Sequence, residues 1–295
     1  MLYTGTENWM LVLPQPIKEK RINELHLVGS HNSAAYKFED IPTKNILLSK
    51  ISSKTLDICR KMFCKNLVDD WLLTQEHDIY EQLRSGVRVL HVKMSTTVDE
   101  EIVFSNVLGC LRITDFFEQI LTFLKSHTGE IVIVSVTPDK SIPEETLNRF
   151  QRVWEKFYDI SYKIVGHYLH NMRFEELPTL SECQLTNKRL FIDVPLTNKK
   201  VPFCFWTNLM NQFHHHTLYD NVTESDVKED IKGRIFKKAF GYTNKSNKSF
   251  GKSKEKKFDE IVIQQSFNLK PSIWWINYAE ESFNEKIIKE NVVLR

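Results

Sequence analysis

Residues 131–136 read Ile-Val-Ile-Val-Ser-Val, apolar and β-branched at every position but one. Branched side chains lose freedom in a helix and fit a pleated strand. A run with no polar alternation also has no face to turn to water. It therefore predicts a strand covered on both sides, as in a parallel sheet enclosed by helices.

The flanking sequence agrees with that architecture. Leu25 to Val28, Val87 to Val92 and Glu101 to Phe104 read as strands, and Ile79, Leu83 and Val87 share a helical face that Gly86 ends. Asp115 offers an N-cap to a helix with Phe116, Ile120, Phe123 and Leu124 on one face and Gly129 at its end. Pro143 and Glu144 open another, with Leu147, Phe150, Val153, Trp154 and Phe157 aligned. Arg189 to Val194, Val201 to Trp206, Arg234 to Tyr242 and Ile273 to Tyr278 supply further strands, with a helix at about 256–267. Eight strand slots alternating with helices predict a distorted (β/α)8 TIM-type barrel. No repeat or linker divides it, so residues 1–295 are expected to form one domain, with a Lys-rich flexible loop at about 243–257.

With 41% hydrophobic residues the chain can bury a full core, and a formal net charge of +2 lacks the basic excess of nucleic-acid binding. The amino-terminal residues Met1 to Met10 show neither a basic region nor an apolar run, which argues against a secretory signal. No apolar run approaches the ~18 residues of a membrane span. Cys59, Cys64, Cys110, Cys183 and Cys204 are odd in number and lack zinc-ligand spacing, so a reducing, cytoplasmic setting is expected. His214-His215-His216 falls in a polar connection and reads as a solvated loop, not a metal site. Trp274 and Trp275, in an apolar run, read as core.

Five motifs occur in order: Asn8-Trp9-Met10; Trp71-Leu72-Leu73-Thr74-Gln75; Glu81-Gln82-Leu83-Arg84-Ser85-Gly86-Val87-Arg88; Phe123 to Val132 with His127 and Glu130; and Glu176-Leu177-Pro178-Thr179-Leu180. With Gly29-Ser30-His31 near the start, they resemble the X domain of phosphatidylinositol-specific phospholipase C, especially animal proteins made of that domain alone. The resemblance implies a barrel with its site at the carboxyl ends of the strands. It also implies phosphoric diester hydrolysis on inositol lipids. One histidine takes the inositol 2-hydroxyl proton, a second protonates the leaving oxygen, an arginine neutralises the phosphate, and carboxylates orient the imidazoles.

Carried over residue by residue, His31 falls on the general base, and Asn32 stands where single-domain and bacterial members have aspartate. The Asp-x-Arg of the second strand becomes His91-Val92-Lys93, Ser105 takes the second histidine's place, and Asn277 replaces a carboxyl-terminal aspartate. Lys93 still offers positive charge, without arginine's bidentate fork. A serine hydroxyl is far too weak an acid to replace imidazolium, and general acid catalysis contributes about 10² to 10⁴ in rate. These residues therefore predict an impaired catalytic cycle. Two alternatives stand beside it: a phosphodiesterase rewired through His31, His91 and Lys93, and a non-catalytic lipid- or protein-interaction module. No cofactor or metal is expected, because His91 occupies a position where calcium-dependent relatives supply a carboxylate. The expected partner is an inositol phospholipid head group or membrane surface, contacted through Lys245, Lys248, Lys252 and Lys254. Contact with the membrane would then be peripheral.

Overall fold

The computed structural model describes residues 6–37, 74–97, 99–106, 108–138, 147–171, 177–194, 205–206, 209–217 and 272–276. Its helices are α1 (Gln15–Lys18), α2 (Ile79–Arg84), α3 (Ile113–Ser126), α4 (Leu147–Val165) and α5 (Leu180–Thr186). Its strands are β1 (Leu27–Ser30), β2 (Val89–Thr96), β3 (Ile102–Asn106), β4 (Leu108–Arg112), β5 (Val132–Pro138), β6 (Leu190–Asp193), β7 (His214–Thr217) and β8 (Ser272–Ile276). Residues Met1–His216 with Pro271–Arg295 form one compact unit, and Thr217–Lys270 form a second. Apart from Thr217, the second unit lies outside the described residues, as do the expected strand at 234–242, the helix at 256–267 and the Lys-rich loop.

A parallel sheet forms the centre. β1 pairs with β8 on one side and β2 on the other, β2 pairs with β5, and β5 with β6, all parallel. α2, α3 and α4 are the crossover elements between successive parallel strands. The strand expected at 131–136 is β5, and Ile131 to Val134 and Val136 are fully buried, as a strand covered on both faces requires. Phe116, Phe117, Ile120, Phe123 and Leu124 give α3 a buried face, and its Phe117 packs edge-on against Phe157 of α4 at 5.8 Å. Among the described residues no pair joins β6 to β7, so the described sheet is not closed.

Three sequence expectations are corrected. The slot at 101–104 is not a parallel stave: β3 lies antiparallel to the end of β2 and forms a hairpin with β4, a strand the sequence reading missed. Only residues 97–101 join β2 to β3, too few for a parallel crossover, which needs about a dozen. The helix after it begins at Ile113, with Arg112 as its N-cap, and Asp115 sits in the first turn, where its charge suits the helix dipole. His214-His215-His216 is no loop but the body of β7, beside β8 in the sheet; backbone pairing there overrides the polar character of the side chains.

The amino ends of the strands rest on a buried ionic floor. Arg88, just before β2, donates from Nε and Nη2 to Glu130 Oε2 at 2.8 and 2.6 Å. Both side chains have no exposure. Arg88 also donates to the Leu83 and Val87 carbonyls at the end of α2 and to the Glu7 carbonyl. Glu130 Oε1 accepts the N–H groups of Met10 and Leu11, both at 3.0 Å. Arg189, before β6, donates to the Leu124, His127 and Glu130 carbonyls at the end of α3. Two backbones meet so closely here that a Cβ on Gly129 would lie 2.9 Å from the Leu11 Cα. Gly86, at φ 101°, makes the left-handed turn out of α2.

Removing one partner of a buried ion pair leaves the other charge uncompensated, at a cost of about 3–5 kcal/mol. Glu130→Gln should therefore lower unfolding free energy by about that amount in urea titrations followed by circular dichroism. A loss under about 1 kcal/mol would show that the floor tolerates an unpaired Arg88.

Candidate active site

At the opposite, carboxyl end of the strands, β1 stops at Ser30, whose neighbours are Leu90 and Ile276. The chain then turns through Asn32 at φ 48°, a left-handed conformation that asparagine tolerates better than most residues. Backbone and amide hydrogen bonds hold this turn. The Ser33 N–H donates to the His91 carbonyl at 2.8 Å and Gln75 Nε2 to the His31 carbonyl at 2.9 Å. Thr74 Oγ1 donates to the His31 and Asn32 carbonyls, both at 3.2 Å. Below them, Gln82 Nε2 donates to the Ser33 carbonyl at 2.9 Å, and the Ser30 and Ser33 hydroxyls meet at 2.7 Å. The Thr-Gln and Gln-Leu motifs of the sequence thus brace the His31 turn from two directions.

The structure brings His31, Asn32 and His91 together. The two imidazoles stack with centroids 5.2 Å apart and planes 10° from parallel. Asn32, buried at 6% exposure, touches both rings. Its side-chain Nδ2 lies 3.3 Å from His31 Nδ1, and its backbone N–H donates to His91 Nδ1 at 3.5 Å. His91 Nε2 lies 3.2 Å from Thr137 Oγ1. Burial, with the charges of His31 and Lys93 adding to it, lowers the His91 pKa to about 3. Its ring is therefore neutral throughout the physiological range.

Register places the remaining residues. His91 pairs with Ser135 and Lys93 with Thr137 along β2 and β5, while Ser135 pairs in turn with Asp193 of β6. Because side chains alternate, His91 and Lys93 share one face of β2. Ser105 belongs to the antiparallel arm: its backbone pairs with Gly109 just beyond a bulge, one residue past the Phe104–Met94 pair. Asn277 lies outside the described residues, following Ile276, the neighbour of Ser30. Lys245, Lys248, Lys252 and Lys254 lie outside them too.

Sequence reasoning missed Thr137 and Asp193. Thr137 bonds His91 from a strand recognised only as apolar, and nothing short of strand register reveals that contact. The Asp193 carboxylate accepts the N–H groups of Leu209 and Met210 at 2.8 and 3.3 Å, and burial pushes its pKa up to about 6. Among the described residues no group of three or more His, Cys, Asp or Glu side chains could hold a metal ion. No described helix is long and apolar enough to cross a membrane.

Comparison with known proteins gives this sheet and its histidine turn a family. The PI-PLC X family model matches residues 67–231, and the chain belongs to that family. The matched span starts after His31 and Asn32. PI-PLC X domain-containing protein 2 of Mus musculus is 27% identical over 130 residues, 43% of this chain and 37% of that protein. PI-PLC X domain-containing protein 3 of Danio rerio is 28% identical over 134 residues, 43% of this chain and 40% of that protein. The chain thus matches about two fifths of the length of these relatives. Among solved structures, phosphatidylinositol-specific phospholipase C from Listeria monocytogenes superposes with a TM-score of 0.56 at 17% identity, covering 97% of this chain and 99% of that one. The fold is that of the phospholipase C TIM-type barrel.

The neutral His91 has a thermodynamic signature. Its folded pKa, about 3, lies below the unfolded value near 6.5. Between those limits the unfolded chain binds a proton that the folded chain refuses, so stability falls as pH falls. Relative to His91→Gln, the natural protein should lose about 1.4 kcal/mol per pH unit from pH 6.5 downward, read from urea midpoints at several pH values. Asp193, whose pKa is raised, acts with the opposite sign, but equally in both proteins. Parallel stability curves would show that His91 titrates normally.

Proposed function

We propose that this chain binds inositol phosphate head groups as a phospholipase C-like protein of the phosphoric diester hydrolase class, with its base-and-acid cycle impaired. Family membership supports the ligand class, and Lys93 beside the histidine pair supplies a cation for phosphate. The observation that carries impairment is the state of His91. The cycle needs an imidazolium to protonate the leaving oxygen. The imidazole stacked on His31 is half-buried and neutral, with Nε2 engaged by Thr137. A group with a pKa of about 3 is protonated in roughly one molecule in 10⁴ at pH 7. The same fact weighs against a rewired phosphodiesterase that uses His91 as its acid.

The reading includes peripheral contact with the cytoplasmic membrane surface through Lys245, Lys248, Lys252 and Lys254, each adding about 1 kcal/mol near anionic lipid.

Phosphatidylinositol vesicles test the proposal. Turnover should fall at least about 10²-fold below that of the Listeria enzyme. Binding of inositol phosphate should persist and weaken about tenfold or more in Lys93→Met, as expected for loss of a charge-assisted hydrogen bond. Turnover equal to the Listeria enzyme and abolished by His31→Ala would overturn impairment. Absence of binding to both vesicles and inositol phosphate would overturn the ligand class and leave a protein-interaction module.

A further inference from the structure

Strand register sorts the mouth of the sheet into two tiers. His91, Ser135 and Asp193 lie side by side on β2, β5 and β6, and Lys93 and Thr137 lie side by side two residues further along β2 and β5. At about 3.3 Å per residue, the second tier stands roughly 6.6 Å nearer the carboxyl ends of the strands. Every second residue of a strand shares a face, so both tiers belong to the face that carries His91. The outer tier has a cation in Lys93. The inner tier has none: His91 is neutral, and Asp193, with a pKa of about 6, is largely ionised at pH 7.5.

Two members of the inner tier are already engaged. The Asp193 carboxylate accepts the Leu209 and Met210 N–H groups, and His91 is bonded to Thr137 Oγ1 and the Asn32 N–H. Ser135 differs. Among the described residues its hydroxyl has no hydrogen-bond partner. It is 8% exposed, whereas Ile133, Val134 and Val136 around it have no exposure. A hydroxyl buried to that degree is unfavourable until water or a ligand meets it.

We propose that Ser135 is a ligand-contact residue of this site: its hydroxyl hydrogen-bonds a hydroxyl of the inositol ring in the inner tier, while the phosphate stays in the outer tier beside Lys93. The inference rests on the functional reading above and deepens it by giving the bound head group a direction. The charge pattern sets that direction. A phosphate in the inner tier would face the Asp193 carboxylate with no cation of that tier to offset it. A ring hydroxyl is uncharged and, like the serine hydroxyl, both donates and accepts.

Titration calorimetry on the full chain at pH 7.5, with inositol phosphate and inorganic phosphate as probes, tests the contact. The natural protein should bind inositol phosphate the more tightly. In Ser135→Ala that preference should shrink about three- to tenfold, the worth of one neutral hydrogen bond, whereas Lys93→Met should weaken both probes together. If Ser135→Ala does not fold, Ser135→Cys keeps the volume, and its weakly bonding thiol should shrink the preference in the same sense. An unchanged preference in a folded variant, or an equal loss for both probes, overturns the inference. Failure here is separable from failure of the functional reading. A natural protein that binds neither probe loses both, whereas one that binds inositol phosphate and is indifferent to Ser135 loses only the role given to that residue.

Discussion

The Arg88–Glu130 pair ties together segments remote from one another in sequence. One guanidinium spans the end of α2, the start of β2 and the amino-terminal segment, and the paired carboxylate adds the start of β5 and the backbone of Met10 and Leu11. Trp9 and Phe123 flank the guanidinium at 5.8 and 5.0 Å from their ring centres. Burial pushes the Glu130 carboxyl up, while Arg88 and the two backbone N–H groups oppose that shift. Such a pair contributes little net energy over a well-packed apolar substitute, because desolvation offsets attraction. Its value lies in geometry. Each remaining donor and acceptor is satisfied by one particular backbone segment, so a misplaced strand would leave a buried charge unpaired.

This floor explains why the family could be read from the sequence when the site could not. Asn8-Trp9-Met10, the motif ending in Arg88 and the motif containing Glu130 all converge on it. They are chiefly motifs of assembly at the end of the strands away from His31, although Gln82 of the second also reaches the Ser33 carbonyl of the His31 turn. The Thr74-Gln75 motif acts at the other end alone: it braces the His31 turn, a role its spacing did not disclose. Apolar periodicity located β5, β8, α3 and α4. It failed for β4, where Gly109 weakens the strand signal, and for the histidine triplet of β7, whose partner β8 is far off in sequence. The links from Asn32 to His91 and from His91 to Thr137 depend on one left-handed φ and on strand register. Neither leaves a local pattern in the chain.

Two histidines within stacking distance do not make an acid and a base. That division of labour needs environments that push their protonation states apart in the useful direction, with one imidazole charged and the other holding a free lone pair. Here burial and neighbouring charge move His91 toward neutrality, and the Asn32 backbone N–H donates to its Nδ1.

The turn that presents His31 is held in place without help from its imidazole. Its bonds run from Ser33 N–H, Thr74 Oγ1, Gln75 Nε2 and Gln82 Nε2 to backbone carbonyls, and none of these uses an imidazole. Side-chain identity at positions 31 and 91 is therefore only loosely coupled to the path of the backbone, whereas position 32 needs a residue that tolerates a left-handed φ. The floor is the reverse case, because there the side chains are themselves the connections between segments. A chain built this way can exchange a carboxylate for an amide, or an arginine for a lysine, at the mouth of the strands while keeping the same barrel. The same exchange at Arg88 or Glu130 would remove the contacts that set the barrel's register.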